Sequence, residues 1–275
     1  MKKWTLAVIQ DDFQEQNIEM NLDKMRVYIE TCMTRYPETK LLLFPEAALS
    51  GYLLCEDHVR ASAELAEGPS FQTLAVLAKK YGIYIGYGFF EKKYINTREH
   101  YYNSVNLIGP GGALAAVYQK MHLTPLEKHL FTPGNRLVTV QTEYGKIGFL
   151  ICWDMAFPEL SRLLAKEGVE VIIAASAWER PFDGSYKRMA AARAMDNTVF
   201  LATCNYTGGD EALQFFGQSA IYGPDGERIS EERTEEPTIV VAQIDLTRRK
   251  VLEEQFYSMR TDERTGLYSI QWKGE

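Results

Sequence analysis

Gly145-Lys146-Ile147-Gly148-Phe149-Leu150-Ile151-Cys152-Trp153-Asp154-Met155-Ala156-Phe157-Pro158-Glu159 reads as a buried strand that stops at a cysteine. Near-continuous apolar text from Ile147 to Ile151 suits a strand covered on both faces. Pro158 and Glu159 then open a helical pattern running to Lys166, so Cys152 sits on a sharp strand-to-helix turn. Such a turn lifts a nucleophile to a sheet edge beside backbone N–H groups, here that of Trp153, that can hold an oxyanion. The plain alternative is a small buried hydrophobe, the ordinary role of a lone cysteine.

Two further segments end in the same way. Leu41-Leu42-Leu43-Phe44-Pro45 runs into Glu46, with Ala47-Ala48-Leu49-Ser50-Gly51-Tyr52 after it. An acid inside that much apolar text is poorly solvated, and burial raises a carboxyl toward the range of a general base. Leu114-Ala115-Ala116-Val117-Tyr118-Gln119 runs into Lys120, followed by Met121-His122-Leu123. A cation there lowers the pKa of a nearby thiol and neutralises a developing oxyanion. Taken singly, Glu46 reads equally as a structural carboxylate and Lys120 as a solvent-facing lysine. Together, an acid, a cation and a thiol that each end a buried strand point to thiol acyl transfer. His58, His100, His122 and His129 end no comparable strand. His122 and His129 fit one helix face, but no third ligand accompanies them, which argues against a metal.

The same alternation fills the chain. Strands are predicted over 5–9, 41–44, 83–90, 104–108, 113–118, 137–141, 147–151, 169–174, 199–203, 219–222 and 238–245. Helices are predicted over 17–35, 70–80, 158–166, 185–196 and 247–255, with Gly82 and Gly168 as left-handed caps after two of them. Gly109-Pro110-Gly111-Gly112 and Gly223-Pro224-Asp225-Gly226 are hairpin turns, one in each half of the chain. The pattern implies two similar halves packed sheet on sheet, a layered α/β sandwich of mixed sheets. One domain is expected over 1–275, with a C-terminal tail from about 258. Residues 91–102 and 207–216 read as loops, and the acidic run 231–236 as a solvated turn.

Composition narrows the class. The 275 residues are 46% hydrophobic and 24% charged, as in a folded globular protein rather than a disordered one. A net charge of -7 offers no basic footprint for nucleic acid or an anionic membrane. The apolar run Trp4–Ile9 is too short for a signal peptide, and nothing approaches a membrane span. Cys32, Cys55, Cys152 and Cys204 lack metal-ligand or redox spacing, so free thiols in a cytoplasmic protein are the expectation.

These segments resemble the nitrilase (carbon–nitrogen hydrolase) superfamily, whose catalytic set is Glu–Lys–Cys in that order. The matching text is Leu43-Phe44-Pro45-Glu46 with Gly51-Tyr52, Tyr118-Gln119-Lys120-Met121-His122-Leu123, and Gly148 to Asp154 running on to Phe157-Pro158-Glu159. Phe131-Thr132-Pro133-Gly134 and Arg193-Ala194-Met195-Asp196-Asn197 match as well, so the likeness spans Thr5 to about Leu246. The resemblance implies an α-β-β-α sandwich whose subunits pair through outer helices, here 157–166 and 185–196, as a homodimer or higher oligomer. It implies Cys152 as nucleophile, Glu46 as general base and acid, Lys120 as the cation at the oxyanion, and a thioester intermediate. Glu127, which by sequence alone would pass as a surface charge, becomes a second site glutamate that positions substrate and water. No metal or organic cofactor is implied.

The departures bear on substrate. Nitrilases of the superfamily usually carry Trp-Glu after the cysteine, so Trp153-Asp154 favours amides over nitriles. Ala156 stands where members that bind a substrate carboxylate often place arginine, which disfavours ω-amide dicarboxylates. Trp178 and Glu179 follow the strand ending near Ala177 and are expected at the same sheet edge, with Tyr52 beside them. A tryptophan wall with an acid receives a neutral or cationic amide better than an anionic one. The plain alternative packs Trp178 in the core and pairs Glu179 with Arg180 or Lys187. The leading expectation is hydrolysis of a small carboxamide to acid and ammonia. The alternative is an N-carbamoyl amine or amino acid hydrolase releasing carbon dioxide and ammonia. A scaffold without turnover has no need of Glu46, Lys120, Glu127 and Cys152 together.

Overall fold

Runs of Val, Ile and Leu become strands, and amphipathic stretches become the helices that cover them. The computed structural model describes residues 3–209, 213–230 and 232–273. The first half holds β1 (Trp4–Gln10), α1 (Ile18–Arg35), β2 (Thr39–Leu43), α2 (Glu56–Ser62), α3 (Pro69–Tyr81), β3 (Tyr84–Ile95), β4 (Arg98–Ile108) and β5 (Leu114–Gln119). Next come β6 (Thr139–Thr142), β7 (Gly145–Ile151), a 3-10 turn over Cys152–Ala156, α4 (Pro158–Lys166), β8 (Val171–Ala175) and α5 (Asp183–Met195). The chain continues through β9 (Phe200–Cys204), β10 (Thr207–Gly209), β11 (Gln214–Phe216), β12 (Ala220–Tyr222), β13 (Thr238–Ile244) and α6 (Leu246–Gln255). Asn17 caps α1 by accepting from the Met20 N–H at 3.0 Å, and Gly82 and Gly168 take left-handed φ values of 63° and 82° after α3 and α4.

Six strands form one sheet in the order β13-β1-β2-β3-β4-β5, and five form a second in the order β12-β9-β8-β7-β6. The centres are parallel, β1-β2-β3 in one and β7-β8-β9 in the other, so their carboxyl ends point the same way within each sheet. Leu6, Leu41, Leu43 and Leu107 of the first sheet share one core with Ile147, Phe149 and Ile173 of the second. Leu42, Phe44 and Ile85 on the first sheet's outer face pack under α1 and α3 through Met25, Ile29 and Leu74. Leu160, Leu164, Ala190 and Ala194 of α4 and α5 cover the second sheet. The result is the expected α-β-β-α sandwich. The Cys204 thiol, donating to the Ile9 carbonyl at 2.9 Å, ties the two sheets together.

Several expectations change. Residues 91–102 are not a loop: β3 and β4 run on as a hairpin arm to the Asn96-Thr97 turn, because Tyr-rich polar text pairs well when one face is solvated. Residues 207–216 include the two-stranded ribbon β10-β11, while 210–212 lie outside the described residues. In the acidic run, Glu231 also lies outside them. The short helix α2 has no counterpart in the sequence reading. The halves are not self-contained, since β13 crosses back to pair with β1 along its whole length. No described helix is long and apolar enough to cross a membrane.

The turn after β2 lies directly on β3. Leu49 N–H donates to the Gly88 carbonyl at 3.0 Å, and Gly88 N–H to the Pro45 carbonyl at 3.2 Å. A Cβ on Gly88 would stand 2.3 Å from the Ala47 nitrogen and 2.4 Å from the Pro45 oxygen, both backbone atoms. Gly88→Ala is therefore expected to cost about 1–3 kcal/mol or more, read as a lower urea midpoint at unchanged slope. An unchanged midpoint would show that the turn carrying Glu46 yields freely.

Candidate active site

Every residue singled out at a strand end arrives at one place. Glu46 follows β2, Lys120 follows β5, Cys152 follows β7, and Ala177 to Glu179 follow β8. Ligand sites of open α/β sheets lie at such carboxyl ends. The Lys120 ammonium stands 2.7 Å from Glu46 Oε1 and 2.8 Å from Glu127 Oε1, with all three side chains fully buried. Glu127 is thus no surface charge.

Asn103, which the sequence reading missed, joins the same oxygens. Its Nδ2 donates to Glu46 Oε1 at 2.7 Å and to Glu127 Oε1 at 2.8 Å, and its carbonyl accepts from the Lys120 N–H at 2.9 Å. Turning the amide over would aim its oxygen at two carboxyl groups, so charge fixes its orientation. The remaining oxygens are satisfied too: Glu46 Oε2 accepts from the Ala177 N–H and Glu127 Oε2 from the Thr124 N–H, each at 2.8 Å. The available signal was a fully polar pair, Asn103-Ser104, inside a strand that turns apolar from Val105.

The two carboxyl groups respond oppositely. Burial pushes Glu46 up, Lys120 offsets this only in part, and Glu127 adds to the rise. Burial also acts against Glu127, but Lys120, the Thr124 N–H and Asn103 outweigh it and hold that carboxyl below its usual range. For Lys120 burial opposes the charge, yet Glu46 and Glu127 keep it firmly an ammonium. The Cys152 thiol is pushed well up by burial and then by Glu46, against the smaller pull of Lys120. This corrects the expectation that the cation sets a low thiol pKa. The resting thiol is neutral, and its proton needs an acceptor.

Cys152 has φ 47°, and Ala47, just after Glu46, has φ 51°. A left-handed non-glycine backbone costs on the order of 1–3 kcal/mol and is stored where geometry is over-determined. At Cys152 the over-determination comes from Asp154, whose carboxylate accepts from the Ile151 N–H at 3.0 Å, the Tyr118 hydroxyl at 2.8 Å and the His122 N–H at 3.0 Å. His122 Nδ1 lies 2.8 Å from the same Asp154 oxygen that its N–H reaches, and its ring stacks on Phe157 with centroids 3.6 Å apart. Asp154 thus faces away from the cleft and braces the cysteine turn against the end of β5. Arg193 braces it from α5, donating through Nε to the Met155 carbonyl at 3.0 Å.

Cys152 opens into a cleft of about 370 Å³ walled by Tyr52, Trp153, Trp178 and Phe182, with Leu126, Met189 and Leu213 between them. Tyr52, Trp153, Trp178 and Glu179 all line it. Glu179 does not pair with the basic residues named for it: Arg180 pairs with Glu235, and Lys187 with Asp183 at 3.3 Å. A larger cavity of about 460 Å³, around Glu91 and Gln119 beside β3 and β5, is lined by no cysteine.

Removing Lys120 leaves two carboxyl groups buried together. Lys120→Met is expected to lose about 3–5 kcal/mol at neutral pH. Both acids would then have raised folded pKa values, and such a deficit shrinks as pH falls and they protonate. Urea denaturation across pH checks this. A deficit that stays constant toward acid would contradict the clamp.

The chain matches the family model for carbon–nitrogen hydrolases over residues 5–252. It is 38% identical to "Probable nitrilase C965.09" of Schizosaccharomyces pombe, covering 97% of each chain. It is 34% identical to an "(R)-stereoselective amidase" of Pseudomonas sp over 86% of this chain and 83% of that one. It is 30% identical to "N-carbamoylputrescine amidase" of Solanum lycopersicum, over 83% of each. Among solved structures, Saccharomyces cerevisiae Nit3, described as a member of branch 10 of the nitrilase superfamily, superimposes with TM-score 0.86 at 27% identity over 96% of this chain and 97% of that one. Matched by that family model over residues 5–252 and by a relative 38% identical along nearly its whole length, the chain belongs to the carbon–nitrogen hydrolase family.

Proposed function

We propose that the protein hydrolyses the C–N bond of a small carboxamide through a thioester on Cys152. The observation that carries this reading is the buried Lys120 ammonium 2.7 Å from Glu46 and 2.8 Å from Glu127, at strand ends that also carry Cys152, with burial pushing both the Glu46 carboxyl and the thiol up. Glu46 takes the thiol proton as Cys152 attacks the amide carbonyl, and Lys120 with the Trp153 N–H holds the oxyanion. Glu46 returns that proton to the leaving nitrogen, so ammonia departs and the thioester remains. A water then gives a proton to Glu46 and attacks the thioester, Glu127 holding its negative charge beside Lys120 throughout. The acid leaves and the thiol is restored. The same steps applied to an N-carbamoyl amine release ammonia and a carbamic acid, which breaks down to carbon dioxide and the free amine, a second reading favoured by the relative of that name. The preference for amides over nitriles rests on the family pattern around Trp153-Asp154, and the buried position of Asp154 means it acts through the cysteine turn rather than by touching substrate.

An ammonia-release screen over matched carboxamides, carbamoyl amines and nitriles, with carbon dioxide scored in parallel, tests the reading. Carboxamides are expected to lead nitriles by at least tenfold in kcat/KM, and turnover of nitriles alone would overturn it. Because Glu46 must be ionised to act as base and its pKa is raised, the acid limb of kcat/KM is expected above the ordinary carboxylate range. An acid limb at or below that range would assign the base elsewhere.

A further inference from the structure

Glu179 lies in a cleft that has four aromatic rings among its walls, and it forms no ion pair among the described residues. Among the described residues lining that cleft there is no lysine, arginine or histidine, and Glu179 is its one carboxyl group. Its backbone is fixed on both sides: Glu179 bridges Phe215, Arg180 N–H donates to the Gln214 carbonyl at 2.8 Å, and Phe182 N–H to the Glu179 carbonyl at 3.1 Å. The neighbouring wall is fixed too. Trp178 N–H donates to Asn205 Oδ1 at 2.7 Å, and the Trp153 and Trp178 rings stand 5.9 Å apart at 55°. The nearest basic residues in sequence are engaged outside the cleft, Arg180 with Glu235 and Lys187 with Asp183.

We propose that Glu179, framed by Trp153, Trp178 and Tyr52, is an ammonium subsite that selects substrates carrying a protonated amine at the end remote from the scissile bond. The inference rests on the hydrolase reading of the same cleft and specifies its substrate class. Aromatic faces attract a cation and a partly desolvated carboxylate pairs with it, whereas a second carboxylate on the substrate meets like charge. Burial pushes the Glu179 carboxyl up against a smaller pull from the Lys120 ammonium, and an ammonium bound in the cleft would oppose that rise.

Three primary amides of equal length, ending in an ammonium, a methyl group or a carboxylate, separate the possibilities. For the unaltered protein, kcat/KM is expected to rank ammonium over methyl over carboxylate, with roughly ten- to a hundredfold between the first two. Glu179→Gln should reduce the ammonium substrate at least tenfold more than the methyl one. Glu179→Lys should invert the ranking of ammonium and carboxylate. Equal rates for ammonium and methyl amides, or equal losses for both in Glu179→Gln, would overturn the subsite while leaving the hydrolase reading intact. Failure to turn over any amide or carbamoyl compound would sink that reading instead. Calorimetric binding of the ammonium amide to Cys152→Ala, with and without Glu179→Gln, then decides the subsite on its own: a tenfold weaker affinity supports it, and no difference refutes it.

Discussion

The Lys120 ammonium, buried between Glu46 and Glu127 at 2.7 and 2.8 Å, is the contact on which the rest of the site depends. Taking ions out of water costs several kcal/mol each, which good geometry and full hydrogen bonding must offset. Here Asn103 and two backbone N–H groups supply that bonding. One cation facing two acids still leaves the cluster short of positive charge. The imbalance falls on Glu46, whose pKa rises, while Glu127 remains the ionised partner. The site's proton acceptor is thus a consequence of burial that one lysine, shared between two acids, offsets only in part.

This cluster dictates what the sandwich must do. Its members come from β2, β4, β5 and the segment after β5, all in or beside the first sheet, whereas the thiol ends β7 in the second. Facing sheets bring the two sets together only if their ends are held in register. Asp154 supplies that hold, reaching from the cysteine turn to Tyr118 and His122 at the end of β5. Cys204 on the Ile9 carbonyl and β13 alongside β1 fix the sheets elsewhere. The left-handed backbone at Cys152 persists because both sides of the turn are tied.

Much of this was legible in the sequence. Apolar runs ending in Glu46, Lys120 and Cys152 placed all three at strand ends, since strand identity follows from local periodicity. Glu127 was not legible from its surroundings, because Leu126-Glu127-Lys128 reads as surface; only the family likeness placed it. Asn103 and His122 escaped for a related reason: their roles come from partners 57 and 32 residues away, which no local pattern reports. The direction of the thiol's pKa was misjudged, since proximity to Lys120 was read without the burial and the Glu46 charge that outweigh it. The 91–102 segment was misread as a loop because polar text on the solvated face of a long hairpin resembles one.

The central claim is that one buried carboxyl, Glu46, speeds both the acylation of the Cys152 thiol and the release of the acyl group. Intact-protein mass spectrometry after rapid quench, using an activated ester of a small acid, addresses both halves at once. The account predicts an acyl adduct mapping to the peptide containing Cys152, quick to form and short-lived in the unaltered protein, and in Glu46→Gln both slower to form and longer-lived, since no carboxylate takes the proton from the thiol or from water. An adduct on another residue, or one that decays equally fast in both proteins, would contradict it.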